Sequence, residues 1–494
     1  MATRLKTVHY AFPTLAALTN NTQTNLTQRT VYLPESGTKT FRSVVAHVTF
    51  NDIVTATGGS LTTKTLDLRL GAAAYTSVAN ANTLTNSGEN ASFHLIADYT
   101  SHFASNWSGT SMTCDFRLTI NQSTGTTLGM VNVSVTLEIT YEYDDTSTTQ
   151  VKSVLIPLDA PAGALTTGAT TYDTFPDLDD YLPEPAKVYR DIFVVVQGNE
   201  HRNAATTDHT LTISVGSTTV TTGNYEGALA SDRWFRYVFD ILAAGFAGTG
   251  ASQNFQLHAS VARVNHPQCY AVVTYEYNDG TQATTLTEDL DASETGVDVA
   301  ALADLGGTSV PYVICVDDEQ MLVTAGASNT ATVTRGHNGT TAATHANGAV
   351  VRPVVMNALM LPMETDSPMG GTTSSDYQRS SRTLDVEEPT RVVGHKVAFY
   401  PHWTQMAAIG GLNMRIGTGS FVAYTDTASV LCGSNGAMVR NDSAFTLVRG
   451  RNTLTFDVYR TDTADFGFNV SGFWLVNYTS GKAAQGSGAH NHTV

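Results

Sequence analysis

Apolar and polar positions alternate with period two along most of the chain, and the alternation comes in recurring blocks. One block reads Leu66-Asp-Leu-Arg-Leu-Gly71, then Leu211-Thr-Ile-Ser-Val-Gly216, then Leu412-Asn-Met-Arg-Ile-Gly417. Period two sends successive side chains to opposite faces, which predicts half-buried β-strands. The closing glycine supplies a tight reversal. Ala74-Tyr-Thr76, Val220-Thr-Thr222 and Ala423-Tyr-Thr425 follow as returning strands.

Three further landmarks recur in the same order. A proline-marked lead-in precedes a β-branched, aromatic run: Tyr32-Leu-Pro-Glu35 before Phe41 to Phe50, Tyr181-Leu-Pro-Glu184 before Tyr189 to Gln197, and Val386-Glu-Glu-Pro389 before Val393 to Tyr400. Proline cannot sit inside a central strand, so it marks a strand start. An apolar stretch ending in one Asp follows, at Asp98, Asp240 and Asp457. No His or second carboxylate travels with that Asp, so it reads as a turn cap. The unit closes on Tyr141-Glu-Tyr143, Tyr275-Glu-Tyr277 and Trp474-Leu-Val-Asn-Tyr478. The paired tyrosines share one strand face, and packing accounts for them better than an aromatic ligand does.

After the first Tyr-Glu-Tyr the chain continues Val151-Lys-Ser-Val-Leu-Ile-Pro-Leu158. After the second, the matching Met356-Asn-Ala-Leu-Met-Leu-Pro-Met363 is delayed by about 70 residues. An insertion at an exposed loop accounts for the delay. The expected fold class is therefore all-β: three tandem β-sandwich (jelly-roll-like) domains with a small β module inserted in the second. The boundaries expected are an N-terminal arm at 1–29, sandwich 1 at 30–165, sandwich 2 at 166–283 plus 356–375, the module at 284–355, sandwich 3 at 376–482 and a tail at 483–494. The arm is polar beyond a short apolar piece and is expected to be extended, ordering on contact with a partner.

Within the module an acidic strand, Val313 to Thr324, precedes Arg335-Gly-His-Asn-Gly-Thr-Thr-Ala342 and then His345-Ala-Asn-Gly348. This pattern resembles a small β module recurring in structural proteins of tailed bacteriophages. The resemblance covers about 70 residues, and it implies a virion protein without implying chemistry. The residues by themselves predict that Arg335 pairs with Asp317, Asp318 or Glu319 across strands and that His345 bonds within the module. His337 and His345 have no placed carboxylate and make a poor metal site.

Composition narrows the function classes. Charged residues are 14% of the 494, well under the ~25% of an average soluble protein, and the formal net charge is −17. An acidic surface without a Lys/Arg run excludes a phosphate-binding footprint, and with it nucleic acid. No apolar run reaches the ~20 residues of a membrane-spanning helix, so no membrane partner is expected. The four cysteines, Cys114, Cys269, Cys315 and Cys432, are far apart and show no metal spacing. The first three sit in apolar contexts and read as buried free thiols, compatible with folding in a reducing cytoplasm.

Catalytic signatures are missing: no G-x-S-x-G, H-E-x-x-H, phosphate loop or dinucleotide fingerprint occurs. No enzyme and no cofactor is expected. Asp177, Asp179 and Asp180 fall in a Pro/Asp-rich linker. The one local signal for a metal is the terminal Gly486-Ser-Gly-Ala-His-Asn-His-Thr-Val494. On a strand His490 and His492 face the same side, and such pairs gather around the axis of trimeric phage fibres, where imidazole suits a transition metal. The competing reading is a solvated polar tail.

These observations lead to the expectation of a non-enzymatic structural component of a tailed-phage virion, surface-exposed in the tail, neck or baseplate/fibre region and assembled in the host cytoplasm. Its partners are other virion proteins and copies of itself, a trimer being one option. The alternatives are a capsid decoration protein and a host-receptor or glycan-binding protein, with Trp107, Tyr225, Trp234 and Trp403 as candidate sugar-stacking faces.

Overall fold

The structure, a computed structural model, describes residues 3–14, 23–55, 60–80, 84–85, 90–122, 128–144, 147–158, 164–200, 210–222, 233–260, 263–264, 268–279, 282–364, 378–386, 390–403, 412–416, 422–424, 438–441, 446–447, 450–460 and 468–481. Antiparallel strands dominate, and no described helix is long and apolar enough to cross a membrane.

One strand order is written three times. In the first stretch the front sheet runs Thr3–Thr14, Leu128–Asp144, Thr40–Thr55, Asn90–Asp98. Its back sheet runs Thr24–Asn25, Ser111–Gln122, Ser60–Leu70, Thr76–Asn80. In the second, the front sheet is Thr149–Leu158, Gln268–Asn278, Val188–Glu200, Arg233–Asp240 and the back sheet Thr170–Phe175, Gln253–Ala259, Leu211–Val215, Thr218–Thr221. In the third, the front sheet is Val350–Glu364, Phe468–Gly481, Thr390–Trp403, Met438–Asn441 and the back sheet Gln378–Val386, Gly450–Arg460, Leu412–Ile416, Val422–Tyr424. Each stretch has the eight-strand, two-sheet order of a jelly roll.

The alternation seen in the sequence faces the space between the two sheets. Val8, Tyr10 and Phe12, Val44, Ala46 and Val48, and Leu66, Leu68 and Leu70 are all buried in one core. Leu211, Ile213 and Val215 pack with Ile192, Val194 and Val196 in a second. Gly71 and Gly216 close their strands at φ +53° and +57°, a left-handed conformation that only glycine adopts without strain.

The structure moves three boundaries. The 3–14 segment, expected in an N-terminal arm, is the first strand of the first front sheet, paired with Leu128–Asp144 along its whole length. Its partner is the chain itself. Thr149–Leu158, expected to close the first sandwich, pairs with Gln268–Asn278 and opens the second. The 356–364 segment, expected to return to the second sandwich, is part of the strand Val350–Glu364, which pairs with Phe468–Gly481 and opens the third. The module consequently lies between the second and third stretches, not in a loop of the second. A sequence repeat reveals a period but no phase. A block following Tyr-Glu-Tyr reads equally well as the end of one unit or the start of the next.

The module is a compact sheet with its own core of Leu286, Val297, Val299, Tyr312, Ile314, Val323 and neighbours. Its last strand is the start of Val350–Glu364, which pairs with Tyr312–Val316 inside the module and then with Phe468–Gly481. Close packing marks this passage. A Cβ on Gly481 would lie 2.7 Å from Cys315 Sγ. Gly481→Ala is therefore expected to cost about 1–3 kcal/mol by overpacking, visible as a lower thermal midpoint. An unchanged midpoint would show that the module and the third sheet give way freely here.

Candidate functional site

The most highly organised polar groups lie where one unit meets the next. Glu35, the last residue of Tyr-Leu-Pro-Glu, is fully buried. Its Oε1 accepts from Lys6 Nζ at 2.7 Å and from the Val151 backbone N–H at 2.9 Å, and its Oε2 accepts from the Tyr141 hydroxyl at 2.8 Å. Lys6 belongs to the first strand and Tyr141 to the last strand of the same unit. Val151 belongs to the next unit. Lys6 also donates to Val151 O at 2.9 Å and to Gln150 Oε1 at 3.1 Å, and lies over the Tyr143 ring, 3.9 Å from its centroid.

The second unit repeats the device. Glu184 pairs with Lys152, accepts from the Tyr275 hydroxyl at 2.6 Å and accepts from the Met356 backbone N–H at 2.9 Å. Lys152 donates to Met356 O at 3.2 Å and lies over Tyr277 at 4.7 Å. Met356 is in the first strand of the third unit. A buried carboxylate thus fixes the entering strand of each successor, while a lysine and a tyrosine of its own unit satisfy its remaining lone pairs. Burial lowers the Lys6 ammonium below the usual lysine range, with Glu35 opposing. Burial raises the Tyr141 and Tyr275 hydroxyls, with Glu35 and Glu184 adding to the rise, so both remain protonated donors.

The third unit has Asn357 where the others have lysine, opposite Tyr478 as Lys6 is opposite Tyr141 and Lys152 opposite Tyr275. Asn477 instead reaches back, its Nδ2 donating to Leu155 O at 2.6 Å and to the Tyr181 hydroxyl oxygen at 2.9 Å.

A second ionic contact pins the first two units. Asp191 accepts from the Ala11 backbone N–H and from Arg29, both at 2.7 Å, and Arg29 also lies 2.8 Å from Asp240. Burial lifts the Asp191 carboxyl to about 7, with Arg29 opposing. Around it Ala11, Phe193, Val195, Val238 and Val272 form an apolar seam.

The module has its own knot. Glu319, 1% exposed, accepts five hydrogen bonds. Arg335 supplies two as a fork, at 2.7 Å each; the Gly336 and Ala343 N–H groups supply two more and His345 Nε2 the last at 2.9 Å. His345 Nδ1 meets Asp317 at 2.9 Å. Burial alone would raise the Glu319 carboxyl, but these donors hold it down at about 2. Of the three acidic residues the sequence offered to Arg335, Glu319 is the partner. His345 is engaged within the module.

The other candidates disperse. Asp98 caps Thr100 through its backbone N–H and hydroxyl, at 2.8 and 2.6 Å. Asp240 caps Ala243 at 2.8 Å. Asp177 caps the short helix Leu178–Tyr181, and Asp179 accepts from the Tyr189 hydroxyl. Trp107 stacks on Phe103 at 5.7 Å and meets Phe41 edge-on, partly buried against the core of the first unit. Cys114, Cys269 and Cys315 are buried free thiols. Tyr225, Cys432, His490 and His492, and the side chains of Trp234, Trp403 and Asp457, lie outside the described residues. Among the described residues no cluster of three metal-ligating side chains occurs.

The sequence had marked Glu35 and Glu184 only as strand lead-ins. Their recurrence beside Lys6 and Lys152 was the available signal. It is hidden in the sequence because the two lysines fall in segments that read as an arm and as a closing strand.

No protein-family description matches the chain, and no curated protein does. Among solved structures it is similar to a putative secreted protein from Parabacteroides distasonis, with 10% identity and a TM-score of 0.16 over 56% of this chain and 89% of that one. It is similar to Sulfolobus turreted icosahedral virus, with 7% identity and a TM-score of 0.12 over 98% and 92%. A structure described as the triple jelly roll fold and turret assembly in an archaeal virus gives 8% identity and a TM-score of 0.13 over 94% of this chain and 91% of that one. Likenesses this slight carry no functional argument.

Proposed function

We propose that the chain is a non-enzymatic structural component of a tailed-phage virion, exposed on the outside of the tail, neck or baseplate/fibre region. The observation that supports this most is the joint. Three jelly rolls joined by loose linkers would move independently. Here only residues 145–148 separate the first unit's last strand from the second unit's first. Buried Glu35 and Glu184 then fix each entering strand to the unit before it. Such a chain transmits position from end to end, which a load-bearing or spacing part needs and a tethered binding module does not. The phage-like pattern of the module, now seen as a knot around Glu319, agrees with this reading.

Edge strands that are left uncovered invite pairing with neighbours, so copies of the chain are expected to associate with each other and with adjoining virion proteins. Copy number separates the proposed location from a capsid-decoration role. Quantitative mass spectrometry of purified particles is expected to find tens of copies or fewer. Hundreds of copies would move the protein to the capsid surface, and its absence from washed particles would overturn the virion reading altogether.

A further inference from the structure

The two joints are not built alike. At the first, the Ala11 N–H and Arg29 of one unit meet Asp191 of the next. The repeat gives each of these a counterpart at the second joint, and none of the three can make the same contact. Ala11, five residues after Lys6, corresponds to Pro157, five after Lys152, and proline has no N–H to donate. Arg29, three before Tyr32, corresponds to Leu178, three before Tyr181, and Leu178 is buried in the second unit's own core. Asp191 lies opposite Thr274, and at the same place opposite Asn477 the third unit has Gly394. One tie is kept: the Thr274 hydroxyl donates to His9 O at 2.6 Å, and Asn477 does the same to Leu155 O.

The module stands at the joint that lacks this pin, and it holds both sides. Toward the second unit, the Val313 N–H donates to Pro183 O at 2.9 Å, and Lys187 Nζ donates to Pro311 O at 3.0 Å and to Glu184 O at 2.9 Å. Pro183 and Glu184 belong to the lead-in whose carboxylate fixes Met356. Toward the third unit, Gln320, 3% exposed, accepts from the Thr479 hydroxyl at 2.9 Å and donates from Nε2 to Thr479 O at 3.4 Å. Thr479 is paired with Met356 itself. Val313, Cys315 and Leu322 pack with Val354 alongside. We propose that the module is a brace: it grips the Glu184–Met356 contact from both units and takes the place of the missing ionic pin. An insert that is only a passenger is carried by its two ends, at a site where few contacts are broken, and has no need of buried polar bonds to both neighbours.

Site-resolved hydrogen exchange on the intact chain tests this with two variants, one at each end of the brace. Lys187→Met lies outside the module, and Gln320→Leu makes no contact with Glu184. Each is expected to speed exchange about tenfold, the size of one lost hydrogen bond, at both the Val313 and the Met356 amides. The Val333 amide, which donates to Thr295 O within the module, and the Val151 amide at the first joint are expected to keep their rates. Unchanged exchange at Met356 in both variants overturns the proposal. Faster exchange at Met356 in one variant alone overturns it too, because that is local damage and not release of a brace. So does Val333 accelerating in step with Val313 in both, since the module then unfolds and does not let go of its neighbours. Each result is independent of whether the chain is found in virions.

Discussion

Glu35→Ala is expected to destabilise the first joint by about 3–5 kcal/mol, the usual cost of stripping one partner from a buried ion pair. The carboxylate it removes is fully buried. Lys6, the Tyr141 hydroxyl and the Val151 N–H all lose an acceptor at once. With more than one folding unit, a single unfolding free energy is not well defined, so the readout must be local. Hydrogen exchange at the Val151 amide should accelerate by roughly two to three and a half powers of ten, at about 1.4 kcal/mol for each. Glu184→Ala should do the same at Met356. The double change Lys6→Met with Glu35→Leu should recover only part of the loss, since it removes the stranded Lys6 charge but leaves the Tyr141 hydroxyl and the Val151 N–H without their acceptor. If Val151 exchanges no faster than in a control that breaks the exposed Arg42–Glu142 pair, Glu35 does not hold the units together.

This device shows how far the sequence carries. The strands were legible because period-two alternation is a local signal, and the back-sheet turns at Gly71 and Gly216 repeat both residue and conformation. The recurring lead-in was legible for the same reason. The phase of the repeat was not. Val8, Tyr10 and Phe12 alternate as a buried strand does, but Ala11 and Pro13 break the pattern. Ala11 is buried for another reason: it belongs to the seam with the second unit. A residue buried by a neighbouring unit interrupts the alternation that its own sheet would produce. A cleft between the first two units was illegible for a related reason. His9, Glu138, Gln197 and Arg236 occupy outward positions on their strands, and only the meeting of two sheet faces brings them together. The Arg335 pairing was half legible. The sequence supplied three acidic candidates, and the hairpin geometry selected Glu319, whose side chain points inward while Asp317 is 68% exposed.

The Glu319 knot is expected to give the module an acid transition of its own. The carboxyl sits at about 2 against an ordinary value of 4.5. A group whose folded value is depressed adds stability above its unfolded value and loses it as pH falls toward the folded one. The contribution is therefore complete above roughly pH 5 and is lost between about 4.5 and 2. A depression from 4.5 to about 2 corresponds to at most about 3.5 kcal/mol at ~1.4 kcal/mol for each pH unit, less the part that solvent screens. Hydrogen exchange across the Tyr312–Val316 and Glu319–Ala327 strands should show protection falling within that window. Glu319→Gln should weaken protection near neutral pH and flatten the acid dependence, since the amide cannot titrate and turns a donor toward Arg335. Arg335→Lys should lower protection as well, because an ammonium cannot reproduce the two-point fork or reach the Asp291, Glu294 and Ala343 carbonyls together. A module that keeps its protection down to pH 2 in the native chain, or a Glu319→Gln variant that titrates like it, would mean that the stability rests on the apolar core around Tyr312 and Ile314 instead.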